Sequence, residues 1–187
     1  LYTKRYPGEE VQIDTTEPFG KRKGILITAI DDYSRWVHAR FYYGNSSVHA
    51  GLFLQELVQV VPFPITAVRV DNGSEFKRGF ITQCNREGVH IIRNPPHSPE
   101  KNGKVERMHR TIEEECLWRV RQYKEDADIV NYKLSRYLAW YNTRRKHGGY
   151  RMDKLTPQQK IESYILNTDV SHDIYRDVNE TVIQYTL

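Results

Sequence analysis

The chain has 187 residues, a formal net charge of +4 and an apolar content of 39%. This length allows one domain with a hydrophobic core, or one domain followed by a tail. The sequence has no apolar run of transmembrane length and no secretory leader, and its two cysteines lack zinc-finger spacing. These features argue against a membrane protein, a disulfide-rich secreted domain and a zinc finger. We expect a soluble cytoplasmic protein, and a start at Leu1 without methionine is compatible with a piece of a longer one.

The first half of the chain alternates strand and helix patterns. Short apolar runs predict strands at 11–14, 25–30 and 66–71, and alternation with a period of two predicts another at 37–43. Helical spacing predicts helices over 48–61 and 76–87, the second ended by Gly88, and a strand follows at 89–92. Asn72 and Gly73 are expected to form a tight turn with positive φ angles.

The second half is predicted to be helical. A loop rich in proline and polar residues spans 94–103, and one apolar stripe runs from residue 105 to residue 123. A long helix is predicted over 129–146, with a glycine stop at 148–149 and a basic last turn that suits the helix dipole. Thr156, Pro157 and Gln159 form the start signal of a last short helix. This order of elements predicts an α/β sheet with a hairpin on one side and a parallel crossover on the other.

Three acidic residues stand at positions that packing explains poorly. Asp14 and Asp71 each end an apolar run, and Glu106 lies in the string Asn-Gly-Lys-Val-Glu-Arg. If the crossover is right-handed, both aspartates emerge at the carboxyl edge of the sheet, where α/β proteins bind ligands. Converging acids repel one another unless cations lie between them, and Mg²⁺ prefers carboxylate oxygens. The sequence therefore predicts a two-metal site for phosphoryl transfer.

Five sequence blocks accompany these acids in a fixed order. They are Val-Gln-Ile-Asp (11–14), Ile-Asp-Asp-Tyr-Ser-Arg (30–35), Asp-Asn-Gly-Ser-Glu-Phe (71–76), His-Ser-Pro-Glu-Lys-Asn-Gly-Lys-Val-Glu-Arg-Met-His-Arg-Thr (97–111) and Trp-Tyr-Asn-Thr-Arg-Arg-Lys-His (140–147). Together they resemble the integrase catalytic core of retroviral integrases and of bacterial insertion-sequence transposases of the DDE class. The resemblance covers residues 11–159, and the last block, followed by Thr-Pro, looks more bacterial than retroviral. We therefore expect a bacterial transposase.

The resemblance implies a fold and a set of site residues. It implies a ribonuclease-H-like α/β fold, with a mixed five-stranded sheet flanked by helices and a helical extension at the C-terminus. The core is expected over residues 1–150, and the extension, a short helix with a weakly patterned tail, over 151–187. Asp14, Asp71 and Glu106 are implied to be catalytic and to hold two Mg²⁺ or Mn²⁺ ions. The spacing from Asp71 to Glu106 is one residue shorter than is usual in the family, and we place the shortfall in the loop before Ser98.

The implied function is cutting and joining of DNA by a polynucleotidyl transferase. Water attacks a phosphodiester at the element's end and frees a 3′-hydroxyl, which then attacks target DNA in the same site. The expected partner is DNA, bound by a homodimer or a larger assembly that acts on chromosomal DNA, without a membrane or a small-molecule cofactor. Two alternatives stay open: a nuclease of the same fold that never joins strands, and a non-enzymatic DNA-binding or assembly module.

Basic residues flank the predicted metal site in two groups. Contact with DNA phosphate is one interpretation, and helix capping or solvated charge is the other. The first group comprises the basic residues Lys101, Lys104 and Arg107 together with the neutral Asn102, and the second comprises Arg144, Arg145 and Lys146.

Other residues near the predicted site have two interpretations each. His109 either touches substrate or metal, or is a buried, hydrogen-bonded histidine. Glu75 and Asp31 are assigned to turns and helix starts rather than to the metal. Three aromatic residues are assigned to the core rather than to a platform for stacking bases: Tyr137, Trp140 and Tyr141.

Overall fold

Five strands form one mixed sheet in the computed structural model, which describes residues 3–95 and 103–168. The strands are β1 (Val11–Thr16), β2 (Ile25–Asp31), β3 (Val37–Tyr42), β4 (Ala67–Val70) and β5 (His90–Arg93). Their order in the sheet is β3-β2-β1-β4-β5. Strand β2 pairs antiparallel with both β1 and β3, and β4 pairs in parallel with both β1 and β5. The predicted hairpin and parallel crossover are therefore confirmed.

The helices follow the predicted order. They are α1 (Ser47–Val60), α2 (Arg78–Glu87), α3 (Gly103–Ile112), α4 (Trp118–Val120), α5 (Ala127–Thr143) and α6 (Pro157–Asn167). Short 3₁₀ turns occur at Ser74–Phe76 and Arg121–Tyr123. Gly88 ends α2 in the left-handed conformation with φ of 67°, and Thr156 and Gln159 form the predicted capping box of α6.

A hydrophobic core lies on each face of the sheet. Phe53 of α1, Phe80 of α2 and Ile161 of α6 pack on one face, and Ile112 of α3 and Leu134 of α5 pack on the other. Because both faces are covered, β2 is buried along its whole length. No helix among the described residues has the length and apolar composition needed to cross a membrane.

The apolar stripe that begins at Val105 includes a change of helix type. Its later members, spaced by four residues, are all buried: Met108, Ile112, Cys116 and Val120. A spacing of four exceeds the period of an α-helix, so the stripe would rotate by about 40° at each step. Glu113–Leu117 adopts a π-helix, whose wider turn offsets that rotation. Tyr123, predicted to end the stripe, is 39% exposed instead.

Helix α5 is shorter than the sequence predicts. It ends at Thr143, and the next two N–H groups both donate to the carbonyl of Trp140. Residues 144–146 therefore follow the helix instead of forming its last turn, and the predicted glycine stop at 148–149 is wrong. Most of the predicted loop over 94–103 and almost all of the weakly patterned tail lie outside the described residues.

Candidate active site

The two predicted aspartates lie at neighbouring strands in the middle of the sheet. Asp14 belongs to β1, and Asp71 directly follows β4. The two strands pair in parallel, with Val11 beside Val68, and continuing this register places Asp14 opposite Asp71. The crossover topology therefore brings together the residues that the sequence placed at one edge.

Backbone N–H groups orient both aspartates. The N–H of Thr15 donates to Asp14 Oδ1 at 2.8 Å, and the N–H of Gly73 donates to Asp71 Oδ1 at 2.8 Å. A Cβ at Gly73 would lie 2.9 Å from Asp71 Oδ1 and 2.6 Å from Glu75 Oε2. Gly73 has φ of −54°, so the predicted turn with positive φ angles is wrong. A side chain at this position would have to displace the two carboxylates.

Glu106 approaches the aspartates from the first turn of α3, where its side chain is exposed. Burial raises the pKa of Asp14 from 3.8 to about 7, against the opposing effect of its hydrogen bond from Thr15. The negative charges of Asp71, Glu106 and Glu75 contribute to this rise, after burial. Three neighbouring carboxylates therefore act electrostatically on Asp14.

Glu75, which the sequence analysis placed near the site but assigned to a turn or helix start, is a member of this acidic group. Its side chain is 8% exposed and accepts a hydrogen bond from the Thr15 hydroxyl at 2.9 Å. The 3₁₀ turn after β4 brings it back towards β1, and the buried ring of Phe76 anchors that turn. The sequence signal for its place in the site is that Glu75 closely follows Asp71, in a segment that must fold back after the strand. Asp31, by contrast, has the expected turn role.

The donor chemistry of these residues fits hard divalent cations, because all the donors are carboxylates. The repulsion that raises the pKa of Asp14 is also what a cation would relieve. Within residues 3–95 and 103–168, no three His, Cys, Asp or Glu side chains form a group that could hold a metal ion as they stand.

His109 joins α3 to β1 beside Asp14. Its side chain is 7% exposed, and its ring hydrogen-bonds to the backbone of Asp14. Burial lowers the pKa of His109 from 6.5 to about 4, so the ring is neutral at physiological pH. Of the two interpretations, the buried and hydrogen-bonded histidine is the one observed.

The first group of predicted DNA contacts has varied surroundings. Lys101 and Asn102 lie outside the described residues, and Arg107 is exposed on α3. Lys104 is 20% exposed, and its Nζ lies 2.6 Å from Oδ1 of the buried Asp32. Its ammonium group is therefore engaged within the protein.

The second group of predicted contacts follows α5. Arg144 and Lys146 are exposed. Arg145 forms an ion pair with Glu115, and its guanidinium lies 5.3 Å from the ring centroid of Tyr141. Two of the three basic side chains thus face solvent.

The aromatic residues of α5 divide between core and surface. Tyr141 is buried, and Tyr137 is partly buried with its hydroxyl donating to Glu115 Oε2 at 2.8 Å. Trp140 is 44% exposed, so its assignment to the core is wrong. Its position on α5 faces away from β3, where the helix buries its apolar residues.

Comparisons with known proteins agree with this fold. Two family models, both described as an integrase core domain, match residues 4–99 and 87–157. The first of them covers just over half of the chain. The chain belongs to the integrase core domain family. Members of this family are polynucleotidyl transferases, and the predicted ribonuclease-H-like fold is confirmed.

Two curated relatives of this integrase core are polyproteins much longer than this chain. The Retrovirus-related Pol polyprotein from transposon gypsy of Drosophila melanogaster is 27% identical over 129 residues, which are 67% of this chain and 12% of the relative. The Gag-Pol polyprotein of Bovine immunodeficiency virus (strain R29) is 27% identical over 128 residues, 68% of this chain and 8% of the relative. The chain thus spans only a small part of the relatives it matches.

Two solved structures share the fold. The catalytic core domain of BIV integrase matches with a TM-score of 0.62 and 25% identity, over 85% of this chain and 97% of that one. A chain of the simian T-cell lymphotropic virus intasome, solved with the PP2A regulatory subunit B56 gamma, matches with a TM-score of 0.72 and 20% identity. That match covers 86% of this chain and 56% of the other.

Proposed function

We propose that this integrase core cuts DNA at the ends of a mobile element and joins the freed 3′-hydroxyl to target DNA, in a reaction that requires divalent metal. The observation that carries the proposal is the electrostatic coupling of Asp14 to Asp71 and Glu106 on this family's fold. The BIV integrase core among its structural relatives supports DNA as the substrate.

The three acids are proposed as the metal ligands. When bound, two Mg²⁺ or Mn²⁺ ions would activate the attacking oxygen and stabilise the leaving one. Asp14 and Asp71 are oriented in advance by backbone N–H groups, and the exposed side chain of Glu106 would complete the ligand set by turning towards Asp14. Glu75 adds negative charge beside Asp14 and thereby strengthens attraction for cations.

The exposed basic residues are proposed to hold the DNA. Arg107 lies next to Glu106 on α3, where a bound phosphodiester would pass, and Arg144 and Lys146 are available after α5. Lys101 and Asn102 stay predictions on the basis of sequence alone. Phosphate contacts of this kind position the substrate without reading its sequence.

We further propose a transposase that works on chromosomal DNA in the cytoplasm as a homodimer or larger assembly, because joining two element ends requires two active sites. A bacterial insertion-sequence origin rests on the sequence pattern at 140–147, whereas the curated relatives named above come from Drosophila and from a bovine virus.

Metal binding and strand joining together test this proposal. Millimolar Mn²⁺ should raise the melting temperature of the wild type but not that of Asp14→Asn, because a ligand that favours the folded state stabilises it. A branched DNA oligonucleotide that mimics the joined product should be resealed in Mn²⁺, since reversal of joining needs no knowledge of the element's ends.

The alternatives give different results in the same assay. A nuclease of this fold would hydrolyse the branched DNA without resealing it, and a DNA-binding module would bind it unchanged. A wild-type melting temperature indifferent to Mn²⁺ would contradict the metal site itself.

A further inference from the structure

We propose that the ion pair between Lys104 and Asp32 is a positioning device that fixes the first turn of α3 and thereby directs Glu106 towards Asp14. The inference rests on the function proposed above for that site. It assigns Lys104 to the interior of the protein instead of to the DNA.

The surroundings of Asp32 show why this pair is strongly held. The Asp32 side chain is fully buried just after β2, with Lys104 Nζ 2.6 Å from its Oδ1. Gln12 of β1 donates from Nε2 to the same oxygen at 3.0 Å, and Arg35 Nη1 lies 3.7 Å away. Oδ2 of Asp32 is buried with no hydrogen-bond partner in the described part of the chain. A buried carboxylate of this kind depends on its cationic partners.

Helix geometry connects this pair to Glu106. Residues two apart on an α-helix are separated by about 200° around its axis. Lys104 and Glu106 therefore lie on opposite flanks of Val105, which is completely buried against the sheet. Any rotation of the first turn that withdrew Lys104 from Asp32 would also swing Glu106 across the sheet edge.

The other flank of α3 is held separately. His109, three residues after Glu106 and on the same side of the helix, hydrogen-bonds to the backbone of Asp14. The Lys104 contact and the His109 contact thus hold α3 from both sides, with Glu106 between them along the helix. The two contacts together fix both the position and the rotation of the turn that carries Glu106.

A phosphate contact by Lys104 would conflict with this arrangement. Moving Nζ to a DNA phosphate would leave the buried Asp32 carboxylate without its closest cation. Arg107 is exposed on the same helix and can contact a DNA phosphate without leaving a buried carboxylate unpaired. The two interpretations of Lys104 therefore predict different defects when the pair is broken.

Mn²⁺ binding, followed by electron paramagnetic resonance, tests the device. Lys104→Met and Asp32→Asn should each weaken Mn²⁺ binding by about tenfold or more, the usual effect of losing a group that orients metal ligands. Both should lower kcat for resealing the branched oligonucleotide in Mn²⁺, with KM and DNA affinity unchanged. The double variant Lys104→Gln with Asp32→Asn keeps a neutral hydrogen bond and should recover most of the Mn²⁺ affinity.

A matched control is Lys160→Met, which breaks the pair with the exposed Asp153, 3.4 Å long, and should leave Mn²⁺ binding unchanged. Unfolding curves without metal show whether each variant is folded. If a single variant does not fold, the neutral double variant still tests the inference.

Three results would overturn the inference. Lys104→Met and Asp32→Asn could bind Mn²⁺ like the wild type, which would leave the proposed function standing. Lys104→Met could instead lose DNA affinity and about one unit of salt dependence, with Asp32→Asn normal, which would make Lys104 a phosphate contact. A wild type that bound no Mn²⁺ would refute both this inference and the proposed function.

Discussion

Asp14 is the residue on which the chemistry of the site depends. It is partly buried, its carboxylate is held by the N–H of Thr15, and three other carboxylates act on it. Its pKa of about 7 records above all the cost of burying a charged carboxylate, to which the neighbouring negative charges add. Strongly perturbed pKa values of this kind cluster at functional sites. The same effect on Asp14 separates Glu106 from the other candidates for the third carboxylate.

The first residue-scale prediction concerns Glu106 and Glu113. Glu106→Gln keeps the size of the side chain but removes the charge, and it should lower both cutting and joining by at least about 100-fold, because even groups that only support metal ligands contribute 10–100-fold. Folding and DNA affinity should stay nearly unchanged. Glu113→Gln should remain active, because Glu113 lies in the π-helical segment and is 3.4 Å from the Thr16 hydroxyl.

Resealing of the branched oligonucleotide in Mg²⁺ measures both variants. Glu100→Gln, at a position outside the described residues, should also remain active. Substantial strand transfer by Glu106→Gln would show that the third carboxylate has been misassigned.

At the scale of elements, α5 protects the edge of the sheet. β3 is an edge strand, and an unpaired edge invites association with other chains. Asn142 accepts from the Val37 N–H at 2.9 Å and donates to the Val37 carbonyl at 2.8 Å. Asn131 makes the same two bonds with Phe41, at 2.8 and 2.9 Å. Two asparagines, three helical turns apart, therefore pair the edge as a neighbouring strand would.

The element-scale prediction is that Asn142→Ala destabilises the protein by about 3 kcal/mol, because it leaves a buried N–H and a buried carbonyl of Val37 unpaired. Urea unfolding measures the free energy change. Asn85→Ala, on the exposed face of α2, is the matched control and should change stability by less than about 0.5 kcal/mol. Equal effects of the two substitutions would contradict the role given to Asn142.

The helices also show which local sequence signals correctly predicted helix starts and ends. The capping box at Thr156 and the Gly88 stop act through neighbouring residues, so they were predictable. The end of α5 was not predictable. The His147 N–H donates to the carbonyl of Leu155, and these two residues meet only after the chain that follows the helix has turned back. Local patterns therefore predict helix starts better than ends that depend on later residues.

At the scale of the whole molecule, the order of strands and helices was enough to predict the sheet and the meeting of Asp14 with Asp71, because crossovers are right-handed. The sequence placed Glu75 near this edge but did not predict its contact with Thr15, since that contact depends on how the turn after β4 folds back. The Lys104 and Asp32 pair joins residues 72 positions apart, and no periodicity indicates it. Sequence thus located the acids and missed the contacts that hold their surroundings.

The last prediction concerns how the whole surface holds DNA. Arg107→Ala, Arg144→Ala and Lys146→Ala should each weaken binding equally for DNA duplexes of unrelated sequence, because phosphate contacts carry no sequence information. Each should also reduce the dependence of log affinity on log salt by about one unit, since one counterion fewer is released. Arg145→Ala should have a smaller effect, because Glu115 already compensates its charge.

Fluorescence anisotropy at several salt concentrations, with two unrelated duplexes, measures both quantities. Lys160→Ala removes a cation paired with Asp153 and serves as the control for net charge. A variant that lost affinity for one duplex alone, with its salt dependence unchanged, would show that its side chain reads bases, since base contacts and not phosphate contacts distinguish sequences.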